Sequence, residues 1–262
     1  MITSSKPGIS SKIARVGKSA AGLAVAIALT GLFAGAAQAV PVTQLAFKLS
    51  DSTPQLDAFT GWTNTGGFNE GTPAAQALIN NGLDYKNGTL VDNWSNVLSV
   101  RVSFYTGGVE QAFVEFDGTG TTKNNFYTQT NITSSSWTDT AGPANFFSIP
   151  GDATYSRHWF INNNYGGCGA DTGHAVVIDA GSQPCNWEQS RSPLVGTDER
   201  AFLYSLASTE VNWNSASVGV ADTFAVFMTT DQVVSVSEPG ILTVLGLGLA
   251  GLGIANRRRR RG

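Results

Sequence analysis

The stretch LSVRVSF, residues 98–104, places Leu98, Val100, Val102 and Phe104 on one side of an extended chain and Ser99, Arg101 and Ser103 on the other. Successive side chains of a strand point to opposite faces, so this pattern specifies a half-buried strand. Thr106-Gly107-Gly108 follows as a turn. EQAFVEF, residues 110–116, then returns with Ala112, Val114 and Phe116 on one side. The two runs read as a hairpin, and Asp117-Gly118-Thr119-Gly120 ends the second strand with another turn. Further strands are expected over Leu45–Leu49, Arg157–Ile161, Ala175–Asp179, Ala201–Leu206 and Thr223–Thr229, separated by segments rich in Gly, Asn, Pro and Ser. One helix is expected over Pro73–Asn80, opened by proline and ended by Asn81-Gly82. Many strands and little helix predict an all-β fold. The expected form is an antiparallel β-sandwich, the jelly roll being one such winding, with at most one or two short helices.

The two ends carry a different chemistry. Lys6, Lys12, Arg15 and Lys18 form a basic region, residues 20–34 are small and apolar, and Ala37-Gln38-Ala39 fits the small-x-small rule of signal peptidase. Together these features describe a secretory signal, a helix removed after Ala39. At the other end, residues 240–256 carry no charge. A helix of that length spans roughly 25 Å, near the lower limit for a bilayer core of about 30 Å. Arg257, Arg258, Arg259, Arg260 and Arg261 follow it and are costly to move across a membrane. They predict a C-terminal transmembrane helix with a cytoplasmic end, the intervening chain lying outside. The expected organisation is a signal peptide over 1–39, an extracytoplasmic domain over 40–235 and a tail over 236–262.

Val236-Ser237-Glu238-Pro239, an apolar span and an arginine cluster, in that order at the end of a chain, resemble the PEP-CTERM sorting signal. Ser237 stands where the family usually has its first proline. The resemblance covers about the last 27 residues. It implies a bacterial protein that is exported and transiently anchored in the inner membrane. It further implies processing by an exosortase near Glu238-Pro239 and association with exopolysaccharide or biofilm matrix at the cell surface.

Four of the 16 Lys and Arg precede residue 40 and five follow residue 256, so seven remain in between against 19 Asp and Glu, a net charge of −12. A body so acidic repels nucleic acid and anionic lipid. The only two cysteines, Cys168 and Cys185, are expected to form a disulfide in an exported chain.

Candidate binding residues cluster in RHWFINNNYGGCGADTGHAVVIDAGSQPCNWE, residues 157–188. Trp159, Tyr165 and Trp187 offer aromatic faces for a sugar ring, and Asn163 and Asp171 offer partners for its hydroxyls. This predicts a structural or glycan-binding role. The alternative is a carbohydrate-active hydrolase, for which His174 with Asp171 or Asp179, or His158 nearby, would supply a general base. No G-x-S-x-G, H-E-x-x-H or catalytic-cysteine pattern occurs, and no catalytic residue is assigned. No cofactor is expected. Asp117–Gly120 and Asp171–Gly173 offer oxygen ligands to Ca2+, but neither has EF-hand spacing. Peptide sequencing of the exported protein should find Val40 as its first residue; a mature chain that still begins at Met1 would overturn the signal-peptide reading.

Overall fold

The expected hairpin forms within the first of two antiparallel sheets. The computed structural model describes residues 38–52, 54–179, 184–189 and 200–234. The strands in chain order are β1 (Gln38–Ser50), β2 (Tyr85–Lys86), β3 (Val97–Thr106), β4 (Val109–Asp117), β5 (Ile132–Ser135), β6 (Phe146–Ser148), β7 (Arg157–Asn164), β8 (Thr172–Ile178), β9 (Ala201–Ser205), β10 (Val211–Asn212), β11 (Val218–Ala221) and β12 (Thr223–Val234). One sheet has the order β2-β1-β12-β3-β4-β5, and the other β11-β9-β8-β7-β6 with β10 paired to β8. The chain clusters into two units, Met1–Gln38 with Ser235–Gly262, and Ala39–Val234. The expected signal helix, the transmembrane helix, Ser237, Glu238, Pro239 and Arg257–Arg261 lie outside the described residues. Among the described residues, no helix is long and apolar enough to cross a membrane.

The β3–β4 hairpin pairs Val102 with Val114 and Phe104 with Ala112. Gly107 and Gly108 take φ of +58° and +81°, which a tight two-residue turn between antiparallel strands requires. On the other side of β3, β12 sets Phe224 against Phe104 and Val226 against Val102. The inward row of LSVRVSF thus meets apolar rows on both neighbours.

Side chains from both sheets enter one cluster. Val100, Val102, Phe104, Val114, Phe116, Phe224, Val226 and Met228 come from the first sheet, and Trp159, Ile161, Ala175, Val177, Phe202 and Tyr204 from the second. A second cluster covers the other face of the second sheet, joining Phe160, Val176, Ile178 and Leu203 to Trp187 and Trp213. The strands β7, β8 and β9 are therefore buried on both faces and do not alternate: β8 and β9 are mostly apolar, and β7 carries Trp159, Phe160 and Ile161 in succession.

Three expectations need correction. The helix over Pro73–Asn80 is a single 3-10 turn, Pro73–Gln76. The carbonyls of Ala77 and Ile79 instead accept from the buried Lys48 ammonium, which holds this segment as a loop. There are three short α-helices rather than one or two among the described residues, α1 (Thr60–Thr63), α2 (Gly88–Asn93) and α3 (Asn186–Gln189). Asn87 caps α2 by accepting from the Leu90 amide. Strand order also differs from a jelly roll, because β6, β7, β8 and β9 are sequential neighbours within one sheet.

Cys168 and Cys185 are bonded with their Cα atoms 5.1 Å apart. The bond joins the β7–β8 connection to the segment that carries Trp187 across the second sheet. Replacing both cysteines by serine should lower unfolding stability by about 3 kcal/mol in the chain-entropy account, read as a lower urea midpoint at unchanged slope. An unchanged midpoint would show that the loop is held without the bond.

Candidate functional site

At one end of the two sheets a guanidinium is surrounded by carboxylates. Arg200 is fully buried just before β9. Its Nε donates to Asp179 Oδ1 at 3.0 Å, and its Nη1 donates to Asp84 Oδ1 at 3.0 Å and to the Ser50 carbonyl at 3.2 Å. The Leu56 carbonyl accepts from Nη2. Asp84 in turn accepts from the amides of Ser50, Gln55 and Leu56. This network ties the end of β1, the 54–58 loop, the approach to β2 and the end of β8 together.

His158 lies beside it. Its Nδ1 is 2.9 Å from the Pro150 carbonyl, which can only accept, so Nδ1 carries the proton. Its Nε2 is 3.9 Å from Asp179 Oδ2. Asp57 completes the group: ligand atoms of Asp57, His158 and Asp179 all lie within 4.8 Å of one another. Burial pushes the Asp179 carboxyl up to about 6, an effect that the Arg200 charge opposes without cancelling. Burial also pushes the Asp57 carboxyl upward, but the Thr60 amide and hydroxyl and the nearby His158 more than offset it and hold it low. Asp57 Oδ1 accepts from the amides of Phe59 and Thr60 at the start of α1.

The backbone aims His158. Trp159 has φ of +48°, a left-handed conformation rare for a large residue, and the β7–β8 register shifts between His158 and Ile161. The conformation is held by hydrogen bonds from Trp159 N to Ile149 O, from Trp159 Nε1 to Ala58 O and from Tyr127 to the Trp159 carbonyl.

His174 is paired with Asp139, 2.6 Å from Nε2 to Oδ1, rather than with Asp171 or Asp179. Sequence reasoning missed Asp139, Asp57 and Arg200, since their partners are distant in sequence: His174 lies 35 residues from Asp139, and the partners of Arg200 lie 21 to 150 residues away.

The aromatic glycan platform expected in residues 157–188 does not form. Trp159 and Trp187 are fully buried, Trp159 in the core shared by the sheets and Trp187 stacked on Trp213 at 5.5 Å. Their faces are covered by protein and are not available to a sugar. Tyr165 is half-buried, with its hydroxyl donating to Asp152 and accepting from Arg157. Asn163 is half-buried and Asp171 is buried. Of the expected calcium turns, Asp117 accepts from the Thr119 amide in an ordinary Asx turn.

A polar groove of about 480 Å³ opens elsewhere, between β1, α2 and β12. Gln44, Glu70, Asn87, Asn93, Asn96 and Asp231 are among its lining residues. Comparison of the chain with protein-family models, curated proteins and solved structures finds no match.

Burial pushes the Asp139 carboxyl up, but the Glu210 amide and the His174 ring outweigh it and hold it below the ordinary value. A depressed folded value contributes stability above the unfolded carboxylate range, near 3.8, and loses it as pH falls through the folded value. Asp139→Asn should therefore destabilise at pH 7 and converge on the parent protein below about pH 3 in urea titrations. A stability difference independent of pH would count against the pair.

Proposed function

We propose that the chain is an exported bacterial surface or exopolysaccharide-matrix protein whose body is a disulfide-clamped β-sandwich with a structural or glycan-binding role. The observation that carries this reading is the Cys168–Cys185 bond, which pairs the only two cysteines of the chain. Such a bond forms and persists in oxidising compartments and is rare in reducing ones. That agrees with a secretory signal at one end and a PEP-CTERM-like tail at the other. Signal peptidase, an exosortase and, briefly, the inner membrane are the partners the two ends call for.

Burial of the tryptophans favours a load-carrying or space-filling body over an aromatic sugar platform. Five of the six, Trp62, Trp137, Trp159, Trp187 and Trp213, are among the buried residues. Glycan binding in this reading moves from the disulfide loop to the polar groove. The amides of Asn93 and Asn96 and the carboxylates of Glu70 and Asp231 there suit sugar hydroxyls.

Two measurements test this. The native protein should be recovered outside the inner membrane, trimmed at both ends and with its disulfide intact. An intact, reduced 262-residue chain in the cytosol would end the proposal. Retention of the full chain on the producing organism's exopolysaccharide should fall at least tenfold in an Asn93→Ala, Asn96→Ala variant, without shortening of the polymer. Equal retention would reject the groove and leave the structural role. Shortening of the polymer would favour the hydrolase reading.

A further inference from the structure

We propose that Asp57, His158 and Asp179 form a site for one divalent transition-metal ion of the zinc class, which pins the 54–60 segment to the second sheet. The three residues come from a loop, a strand and a strand end far apart in sequence, yet their ligand atoms converge within 4.8 Å. Each is oriented by a hydrogen bond to one of its atoms. His158 donates Nδ1–H to the Pro150 carbonyl, the arrangement that fixes the tautomer of a metal-binding histidine and leaves the Nε2 lone pair for a cation. Asp57 is held at Oδ1 by two amides, while Asp179 is held at both oxygens, Oδ1 by Arg200 and Oδ2 by the Ala58 amide at 2.7 Å, which fixes the Oδ2 atom that faces His158. Among the described residues, no hydrogen bond reaches Asp57 Oδ2.

His158 Nε2 supplies the independent observation. The residue is 5% exposed, and Nε2 has no hydrogen-bond partner among the described residues; its nearest charged neighbour is Asp179 Oδ2 at 3.9 Å. The ring thus turns Nε2 toward two carboxylates. That arrangement is repulsive until a proton or a metal lies between them. Charge favours a divalent ion: Asp84 and Asp179 pair with the Arg200 guanidinium and Asp57 stands beside Asp179, so three carboxylates gather around one guanidinium and one imidazole. The left-handed Trp159 and the register shift beside it direct His158 to this place rather than along the regular pleat.

One nitrogen and two oxygens choose the ion. Ca2+ takes six to eight oxygen ligands and has little use for imidazole. Zn2+ accepts histidine and aspartate at about 2.0–2.2 Å and is served by three protein ligands with a fourth position for water. Tetrahedral ligand atoms at those bond lengths stand roughly 3.4 Å apart. The groups must therefore draw in by about 1 Å, a motion that falls on Asp57, the exposed member of the three.

The test uses the full chain, stripped with a chelator and desalted. Calorimetric titration with Zn2+ should give one site with a Kd in the low micromolar range or tighter. Its melting temperature should rise by roughly 5 °C when Zn2+ exceeds Kd a hundredfold. Co2+ in place of Zn2+ should give the intense visible bands of a tetrahedral ion. Asp57→Asn keeps the oxygen that accepts from Phe59 and Thr60 but loses the charge. It should lower the metal-free melting temperature modestly, since the fold holds the Asp57 carboxyl low, yet stay folded and bind Zn2+ at least tenfold more weakly. Asp117→Asn, at a turn outside the cluster, should bind as the parent does. Absence of heat at roughly millimolar Zn2+, equal affinity in Asp57→Asn, or Ca2+ binding as tightly as Zn2+ would each overturn the proposal. So would a nitrogen-15 spectrum in which His158 keeps both ring protons with Zn2+ in excess, since the occupant would then be a proton.

Discussion

The buried guanidinium of Arg200 is the constraint on which one end of the molecule depends. A charge placed out of water is costly unless paired and hydrogen-bonded. Arg200 meets that cost with two carboxylates and two carbonyls, drawn from the ends of β1 and β8, the 54–58 loop and the residue before β2. Removing one partner from such a network leaves an uncompensated buried charge, a change of about 3–5 kcal/mol. The strands that converge there are held by the core up to their ends, and beyond those ends the chain turns polar. Polar satisfaction does what the core does elsewhere.

The two faces of the second sheet show the other side of the same balance. Its inner face shares a core with the first sheet, while its outer face is covered by the segment bearing Trp187 and Trp213. That cover is thin in secondary structure, with only the four-residue α3 and the short β10. Arg157 reinforces it from beneath, pairing with Glu188 at 2.7 Å and lying over the Trp187 ring at 4.8 Å. The disulfide closes it from above. Burial of these tryptophans is thus a requirement of the architecture, and it removes the aromatic surface that a sugar would need.

How much was legible follows from which contacts are local. The β3–β4 hairpin was readable because alternation and Gly107-Gly108 are encoded within twenty residues. The strands β7, β8 and β9 were found by short stretches of successive apolar residues, but those stretches say nothing of what covers each face. Trp159 and Trp187 sit among asparagines and glycines, a setting that suggests an exposed loop; only packing reveals them as core. The 3-10 turn at Pro73 had the outward marks of a helix start, and Lys48, 25 residues earlier, decided otherwise. His158 was visible as a titratable residue, whereas its companions Asp57 and Arg200 carry no local signal.

By itself the sequence determined the longer strands but not the short β2, β5, β6, β10 and β11, and it determined the β3–β4 turn, the pairing of its two cysteines and the basic, apolar chemistry of its two ends. Each of these rests on short-range periodicity, on a count of two, or on charge beside an apolar run. Tertiary structure alone decided the order of strands, the burial of the tryptophans and the meeting of Asp57, His158 and Asp179. Those outcomes depend on which distant segments share a desolvated space, and there a single unpaired charge or uncovered ring outweighs any local preference.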